Sequence, residues 1–375
     1  MSGLRLLHTA DVHLGARFHF LGSRGREQRE QLRDTFSRVV DIALNFGVDA
    51  LLVAGDLFDS PYPGGGLWEE VVHQLGRLDA EGIWTLIVPG THDRLEPGGV
   101  YDRLQRVSMA HVHVFGTEVM SPLPLEGLDL VVYGMASGRE GRDAMAGFRA
   151  GDEAKWRVGI LHASVIIPGL VERDAMLVSR ESIAASGLHY LALGHWHSPS
   201  DQSSGGVTAF YPGPPEQLEM GSGERGSVLL VELEEGAPAR VKTVPVGRRR
   251  FLDVEVDAAE LGGPAGLYSR LRDMADADLG LRMRVTRAWD EEWLGADWEN
   301  VVNDLEGRFF YLKVEVSGAR GGGFDAGDYP ENTVTGRFLR LAFQEMAGME
   351  GEELLAAEEA VRLGLAHLAG EGESG

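Results

Sequence analysis

Five stretches of the chain end an apolar run in side chains that bind metal ions. Leu4–Ala10 runs into Asp11-Val12-His13, and Leu51–Ala54 into Gly55-Asp56. Trp84–Pro89 leads to Gly90-Thr91-His92-Asp93, Arg157–Leu161 to His162, and Tyr190–Leu193 to Gly194-His195-Trp196-His197. These carboxylates and imidazoles are oxygen and nitrogen donors, a set suited to divalent Mn, Fe, Zn or Mg. A lone Asp-x-His pair is common by chance, and a lone Asp at a strand end commonly caps a helix. A whole series of them makes a purely structural reading demanding. Each polar group at the end of a buried strand would need its own partner, because burying an unpaired carboxylate is costly. Asp56 ends the most apolar of the runs. We read it as the carboxylate shared between two ions, with the other groups collected around it.

The elements that must hold these groups follow from the hydrophobic pattern. Leu4–Ala10 reads as the first strand, Leu14–Arg26 as a loop, and about Gln28 to Phe46 as a helix. Leu32, Phe36, Val39, Val40 and Ala43 give that helix an apolar stripe at helical spacing. Ala50–Ala54 is a second strand and Pro61–Gly66 a loop. Trp68, Val71, Val72, Leu75 and Leu78 mark a second helix, and Trp84–Val88 a third strand. This alternation predicts a βαβ layer with a parallel core, and ligands of such sheets gather at the carboxyl ends of the strands. Strands then come closer together at His111–Phe115, Leu128–Tyr133, Val158–Leu161, Tyr190–Leu193, Thr208–Tyr211 and Ser227–Glu232. A second sheet packed on the first would accommodate them. Ser179 is expected to cap a short helix at Arg180–Ser186.

The chain has 375 residues, and beyond roughly 250–300 residues chains tend to divide into domains. We place a catalytic domain at 1–246 and a small α/β domain at 247–318. A Gly-rich linker follows at 319–335, and a helical tail at 336–375 with helices at Gly336–Met346 and Glu352–Leu368. There is no cysteine, which excludes disulfides, thiolate metal sites and cysteine nucleophiles. The net charge of −23 argues against broad electrostatic capture of a polyanion, since nucleic-acid affinity rests on phosphate neutralisation. A phosphate substrate would therefore need local positive charge from metal ions, an arginine patch or a partner subunit. The N-terminal apolar run is too short for a signal peptide or a membrane span, so a cytoplasmic protein with no membrane contact is expected.

The order Asp-x-His, Gly-Asp, Gly-x-His-Asp, His and Gly-His-x-His resembles the calcineurin-like metallophosphoesterase superfamily, over Leu4 to about Glu232. The resemblance implies an α/β fold: a two-sheet metallophosphoesterase sandwich flanked by helices, plus a small α/β capping domain and a helical C-terminal tail. Carried over by residue, Asp11, His13, Asp56 and His197 would bind a first metal. Asp56, His162 and His195 would bind a second, with Thr91 where the family usually has Asn. His92 would act on the substrate phosphate, and Asp93 beside it would orient it. The implied cofactors are two divalent ions, manganese by preference, with iron, zinc or magnesium as alternatives. Two such ions can clamp a phosphate and lower the pKa of the water between them, which would attack phosphorus in line as hydroxide.

After Asp11-Val12-His13, the residues Leu14-Gly15, Arg24, Arg26, Arg29, Arg33-Asp34 and Phe36 resemble the DNA-repair exonuclease branch, of SbcD type. Tyr211-Pro212-Gly213, Glu216 and Gly226 also resemble it, with Pro214 where Ser is commoner. That branch implies DNA as substrate, with Arg17, Arg24, Arg26 and Arg29 as DNA contacts. It also implies an SbcC-like coiled-coil ATPase docked on the C-terminal tail, and a homodimer. The alternatives are a phosphodiesterase or phosphatase acting on small nucleotides or other phosphoesters, and a weakly active scaffold subunit of an ATPase complex.

Overall fold

The computed structural model describes residues 3–136, 141–171, 173–221, 223–286, 293, 298–316, 333–346, 349 and scattered positions between 353 and 368. It divides into two compact units, Met1–Phe251 and Leu252–Gly375. The division falls a few residues after the expected boundary at 246, because the last segment of the first unit is held back by Glu216. This buried carboxylate accepts the backbone N–H of Arg248 (2.8 Å) and of Arg249 (2.7 Å) and the hydroxyl of Thr35 (2.6 Å). Glu216, legible in the sequence as a branch feature, is thus a staple between the first long helix and Arg248-Arg249.

The first unit contains two six-stranded sheets. Sheet one has the order β14-β13-β1-β2-β3-β4. Its strands are β1 (Leu4–Thr9), β2 (Ala50–Ala54), β3 (Trp84–Val88), β4 (Val112–Val114), β13 (Ser227–Leu233) and β14 (Arg240–Pro245). Strands β1 to β4 are mutually parallel, and β13 and β14 run antiparallel along one edge. Sheet two has the order β11-β12-β10-β7-β6-β5. It comprises β5 (Ser121–Leu125), β6 (Leu130–Gly134), β7 (Trp156–His162), β10 (Tyr190–Gly194), β11 (Ser200–Asp201) and β12 (Thr208–Tyr211). Its four central strands are parallel, with antiparallel β5 and β11 at the edges. A two-stranded ribbon, β8 (Ser164–Val165) with β9 (Leu177–Val178), projects from the end of β7.

The alternation within the central strands builds the sandwich. Leu6, Leu52, Ala54, Leu86 and Val88 from sheet one meet Val132, Val158, Ile160, Tyr190 and Ala192 from sheet two in one buried cluster. Helix α1 (Gly25–Phe46) buries the expected stripe of Leu32, Phe36, Val39, Val40 and Ala43. It begins earlier than its apolar pattern suggested, after a 3-10 turn at His19–Arg24 in the segment expected to be loop. Helix α2 spans Gly65–Ala80, and α3 (Val100–Leu104) is too short to show a period in the sequence. Helix α4 (Arg180–Ala185) is capped by the Ser179 hydroxyl, which accepts the Ser182 N–H at 3.0 Å. Strand β5 has Pro at alternate positions, 122 and 124, and reads as loop in sequence. It is an edge strand, where a missing N–H costs no ladder bond.

The second unit is a three-stranded sheet of β15 (Arg250–Asp257), β16 (Leu279–Thr286) and β17 (Tyr311–Val316), with β16 and β17 parallel. Helices α5 (Ala258–Leu261), α6 (Pro264–Met274) and α7 (Trp298–Glu306) accompany it. Leu267, Leu271, Leu281, Met283, Leu305 and Phe309 form its core. Helix α8 (Val334–Met346) packs Leu339 and Phe338 with Val361. The expected linker at 319–335 lies almost wholly outside the described residues. Among the described residues, no helix is long and apolar enough to cross a membrane.

Candidate metal centre

Every metal-binding group expected from sequence lies at or just beyond the carboxyl end of a parallel strand, and these strands come from both sheets. β1 delivers Asp11 and His13, β2 Asp56, β3 Thr91 and His92, β7 His162, and β10 His195 and His197. The parallel register sets Gly194 beside His162, so that β7 and β10 release their imidazoles at the same level. The loops after β1 and β2 are zipped together by backbone bonds. Asp11 N–H donates to Gly55 O at 3.1 Å, His13 N–H to Asp56 O at 2.9 Å and Leu14 N–H to Leu57 O at 3.0 Å.

The backbone is strained where these groups sit. Asp11 (φ 53°), His13 (φ 48°), Asp56 (φ 48°) and His195 (φ 103°) all have positive φ. For non-glycine residues this costs on the order of 1–3 kcal/mol each and persists only where the surroundings impose it. Two glycines permit the close approach. A Cβ on Gly55 would fall 2.2 Å from His162 Nδ1, and one on Gly90 would fall 2.1 Å from Asp56 Oδ1.

Asp56 lies at the centre. Its Oδ2 is 3.2 Å from His162 Nε2, 3.3 Å from Thr91 Oγ1 and 3.6 Å from His13 Nε2. Its Oδ1 accepts the backbone N–H of His92 at 2.8 Å. Both oxygens of Asp11 accept the N–H of His195 at 3.1 Å. Donor atoms of Asp11, His13 and His197 cluster closely enough to share one cation, and so do those of Asp11, Asp56 and His162. His195 Nδ1 is 3.3 Å from His162 Nε2, a member of the second group. The structure therefore brings together Asp11, His13, Asp56, Thr91, His162, His195 and His197.

A divalent ion fits these residues. Asp11 and Asp56 are buried, and among the described residues neither pairs with a Lys or Arg. His13 Nε2 is buried with no hydrogen-bond partner. Carboxylate and imidazole donors at such spacing are what a hard or borderline cation requires.

Electrostatics point the same way. Burial, reinforced by the nearby Asp56 charge, pushes the Asp11 carboxyl up to about 7 against the pull of His162 and His13. Burial also disfavours the Asp56 anion. Yet the charge and hydrogen bond of His162, with the His13 charge and the His92 N–H, hold it well below the usual carboxylate range. Burial disfavours His162 as a cation, but Asp56 wins and raises it to about 9. His13 is raised as its bond to Asp59 and the Asp56 charge outweigh burial. Burial lowers His195, helped by the charge of His162, and lowers His197, helped by that of His13.

A metal ion that used His162 as a ligand would therefore displace a proton from it. Ligation requires the neutral imidazole, so below about 9 affinity should rise with pH, and more steeply below about 7 where Asp11 also binds a proton. Calorimetry of Mn²⁺ uptake at pH 7, in buffers of different ionisation enthalpy, should show release of about one proton or more per chain. Uptake without proton release would contradict ligation by His162.

The groups around this cluster differ in part from those expected. Asp93 does not orient His92. It is fully buried, and its carboxylate accepts the N–H of Gly90 (2.8 Å), the N–H of Phe58 (2.9 Å) and the Tyr101 hydroxyl (2.5 Å). It braces the loops after β2 and β3, and burial raises its pKa, with the Asp56 charge adding to the effect. The carboxylate beside the His92 ring is Asp59, whose Oδ1 is 3.6 Å from His92 Nδ1 and 3.2 Å from His13 Nδ1. Sequence reasoning missed Asp59, although it stands three residues after Asp56 on the same loop. Asp174 was missed as well: its Oδ2 is 2.9 Å from His195 Nε2.

Arg17, Arg24, Arg26 and Arg29 lie on the segment after His13, outside the cluster. Arg24 pairs with Glu27 at 3.0 Å and Arg26 with Glu30 at 3.1 Å, while Arg29 donates to the Arg17 carbonyl at 3.0 Å. Intrahelical acids thus offset part of the charge counted from sequence.

Comparison with known proteins agrees with this geometry. The family model described as calcineurin-like phosphoesterase matches residues 4–199. The DNA double-strand break repair protein Mre11 of Aeropyrum pernix is 30% identical over 311 residues, 77% of this chain and 71% of that protein. The Mre11 protein of Methanopyrus kandleri is 28% identical over 273 residues, 67% of this chain and 59% of that one. An uncharacterised metallophosphoesterase of Bacillus subtilis, YhaO, is 26% identical over 241 residues, 61% of this chain and 58% of that one. The chain thus spans about three fifths to seven tenths of the length of these relatives. Its ligand-bearing strands, their order and the matched family model together make this chain a member of the calcineurin-like phosphoesterase family.

Proposed function

We propose that this chain is a metal-dependent phosphodiesterase that hydrolyses DNA, of the SbcD type. The observation that carries the proposal is the convergence of His13, His162 and Thr91 on one oxygen of Asp56. The substrate class is supported by relatives named as DNA double-strand break repair proteins. In this reading Asp11, His13, Asp56 and His197 hold one divalent ion, and Asp56, His162, His195 and Thr91 hold a second. Manganese is the proposed metal. Such a pair supplies Lewis-acid polarisation of the phosphoryl group and a water of lowered pKa.

The chain's own residues supply the rest. The His92 side chain is half exposed, while its backbone N–H is anchored on Asp56 Oδ1. Its Nδ1 faces Asp59, and its ring packs edge-on to His13, with centroids 4.7 Å apart. Nε2 is left for the substrate. As the ester P–O bond breaks and a P–O bond to water forms, His92 gives its proton to the departing oxygen. Asp59 lies 3.6 Å from Nδ1 and orients the ring. Arg17, Arg24, Arg26 and Arg29 are proposed to meet the DNA backbone beside this centre.

The partner proposed for the tail is a coiled-coil ATPase of SbcC type, in a cytoplasmic complex that includes a homodimer of this chain. Val334, Leu341 and Leu363 support it as exposed apolar side chains in the tail region.

The test is cleavage of linear DNA beside bis-p-nitrophenyl phosphate with Mn²⁺. Cleavage of both substrates is expected. Cleavage of the small ester alone would favour a small phosphoester substrate, and cleavage of neither would favour a scaffold subunit.

A further inference from the structure

The ribbon β8–β9 carries a network that meets the proposed metal pair at one of its ligands, His195. Asp174 lies just before β9, and the pairing of Ser164 with Leu177 and Val165 with Val178 brings it up to β10. Its Oδ2 is 2.9 Å from His195 Nε2 and accepts the Ser164 hydroxyl at 2.5 Å. Its Oδ1 accepts the Ala175 N–H at 2.7 Å. The Ser164 oxygen in turn accepts the Trp196 indole N–H at 2.9 Å. Two donors, the Ser164 hydroxyl and the Ala175 N–H, thus fix one carboxylate against one ring nitrogen, and Trp196 in turn holds Ser164.

We infer that Asp174 is a positioning residue that sets the tautomer of His195. An ionised carboxylate only accepts hydrogen bonds, so the Nε2 facing it must carry the proton. The lone pair then lies on Nδ1, the nitrogen 3.3 Å from His162 Nε2. This inference rests on the metal reading above, because the freed lone pair is what a second ion would use. Carboxylates behind metal-binding imidazoles commonly have this role, and losing one commonly costs about 10–100-fold in affinity.

The network makes an unusual ordering of variants. In Asp174→Asn the Ala175 N–H retains the amide oxygen on its side, so the amide NH₂ takes the place of Oδ2. The Ser164 oxygen can accept from that NH₂ as well as from Trp196. The NH₂ now faces His195 Nε2 as a donor, and the proton must move to Nδ1. The isosteric variant is therefore wired against metal binding, whereas Asp174→Ala merely leaves the tautomer unset. A role in packing alone would produce the opposite ordering, since Ala removes more contact than Asn.

Two readouts independent of activity test this on the full chain. Long-range ¹⁵N–¹H spectra of the metal-free protein should show His195 protonated on Nε2 in wild type and on Nδ1 in Asp174→Asn. Calorimetric titration with Mn²⁺ should show one of two sites weakened by about 10–100-fold. The loss should be larger for Asn than for Ala, with the other site unchanged. Equal Mn²⁺ affinities in all three proteins, an unchanged tautomer in Asp174→Asn, or a larger loss in Ala would each overturn the inference. If Ala does not fold, the Asn spectrum and titration decide the matter. Failure of wild type to bind Mn²⁺ at all would instead overturn the metal reading, so the two failures are distinct.

Discussion

Replacing Asp56 by Ala should abolish phosphodiester hydrolysis and empty most of the metal centre. One oxygen of this carboxylate is approached by His13, His162 and Thr91, and the other anchors the His92 backbone. Asp93 cannot substitute, since its carboxylate is committed to Gly90, Phe58 and Tyr101. Without Asp56, the charge and bond that raise His162 to about 9 are lost. Burial then weighs more heavily, the imidazole pKa falls, and the tendency to strand a buried cation in the apo protein is reduced. The variant should accordingly fold. Metal analysis of the folded, purified variant checks the assignment, and a fully loaded variant would refute it.

His92→Ala should have a different signature. Metal content should stay near wild type while turnover falls by about 10²–10⁴-fold, the usual range for a lost acid–base group. The half-exposed ring sits beside Asp59, and the backbone N–H that holds Asp56 survives the substitution. Because the leaving oxygen needs the proton, the loss should be smaller for p-nitrophenolate, a good leaving group, than for a deoxyribose alkoxide. A matching loss of metal would reassign His92 as a ligand, for which its donor atoms lie close enough to His13 and Asp56.

The clustered carboxylates and imidazoles were readable in the sequence because each ends a buried apolar run. Asp56 after Leu51–Ala54 and His162 after Val158–Leu161 are of this kind. Their supporting groups were not readable. Asp59 and Asp174 stand in polar loops, where a carboxylate needs no explanation. Asp174 meets His195 across 21 residues of sequence, and no period records such a contact. Asp93 misled for the opposite reason: adjacency to His92 suggested a partner, but successive residues on a tight loop diverge, and this one turns inward to Tyr101. The two-sheet sandwich was legible from strand spacing. Of its edge strands β4 was expected at His111–Phe115, but β5, with Pro at alternate positions, and β14, which exposes most of its side chains, were not.

The most direct test is anomalous diffraction at the manganese edge from crystals of the protein grown with Mn²⁺. Two peaks are predicted, sharing the Asp56 carboxylate. One should be bounded by Asp11, His13 and His197, the other by His162, His195 and Thr91. A single peak away from Asp56, or manganese bound only at surface acids, would contradict the account.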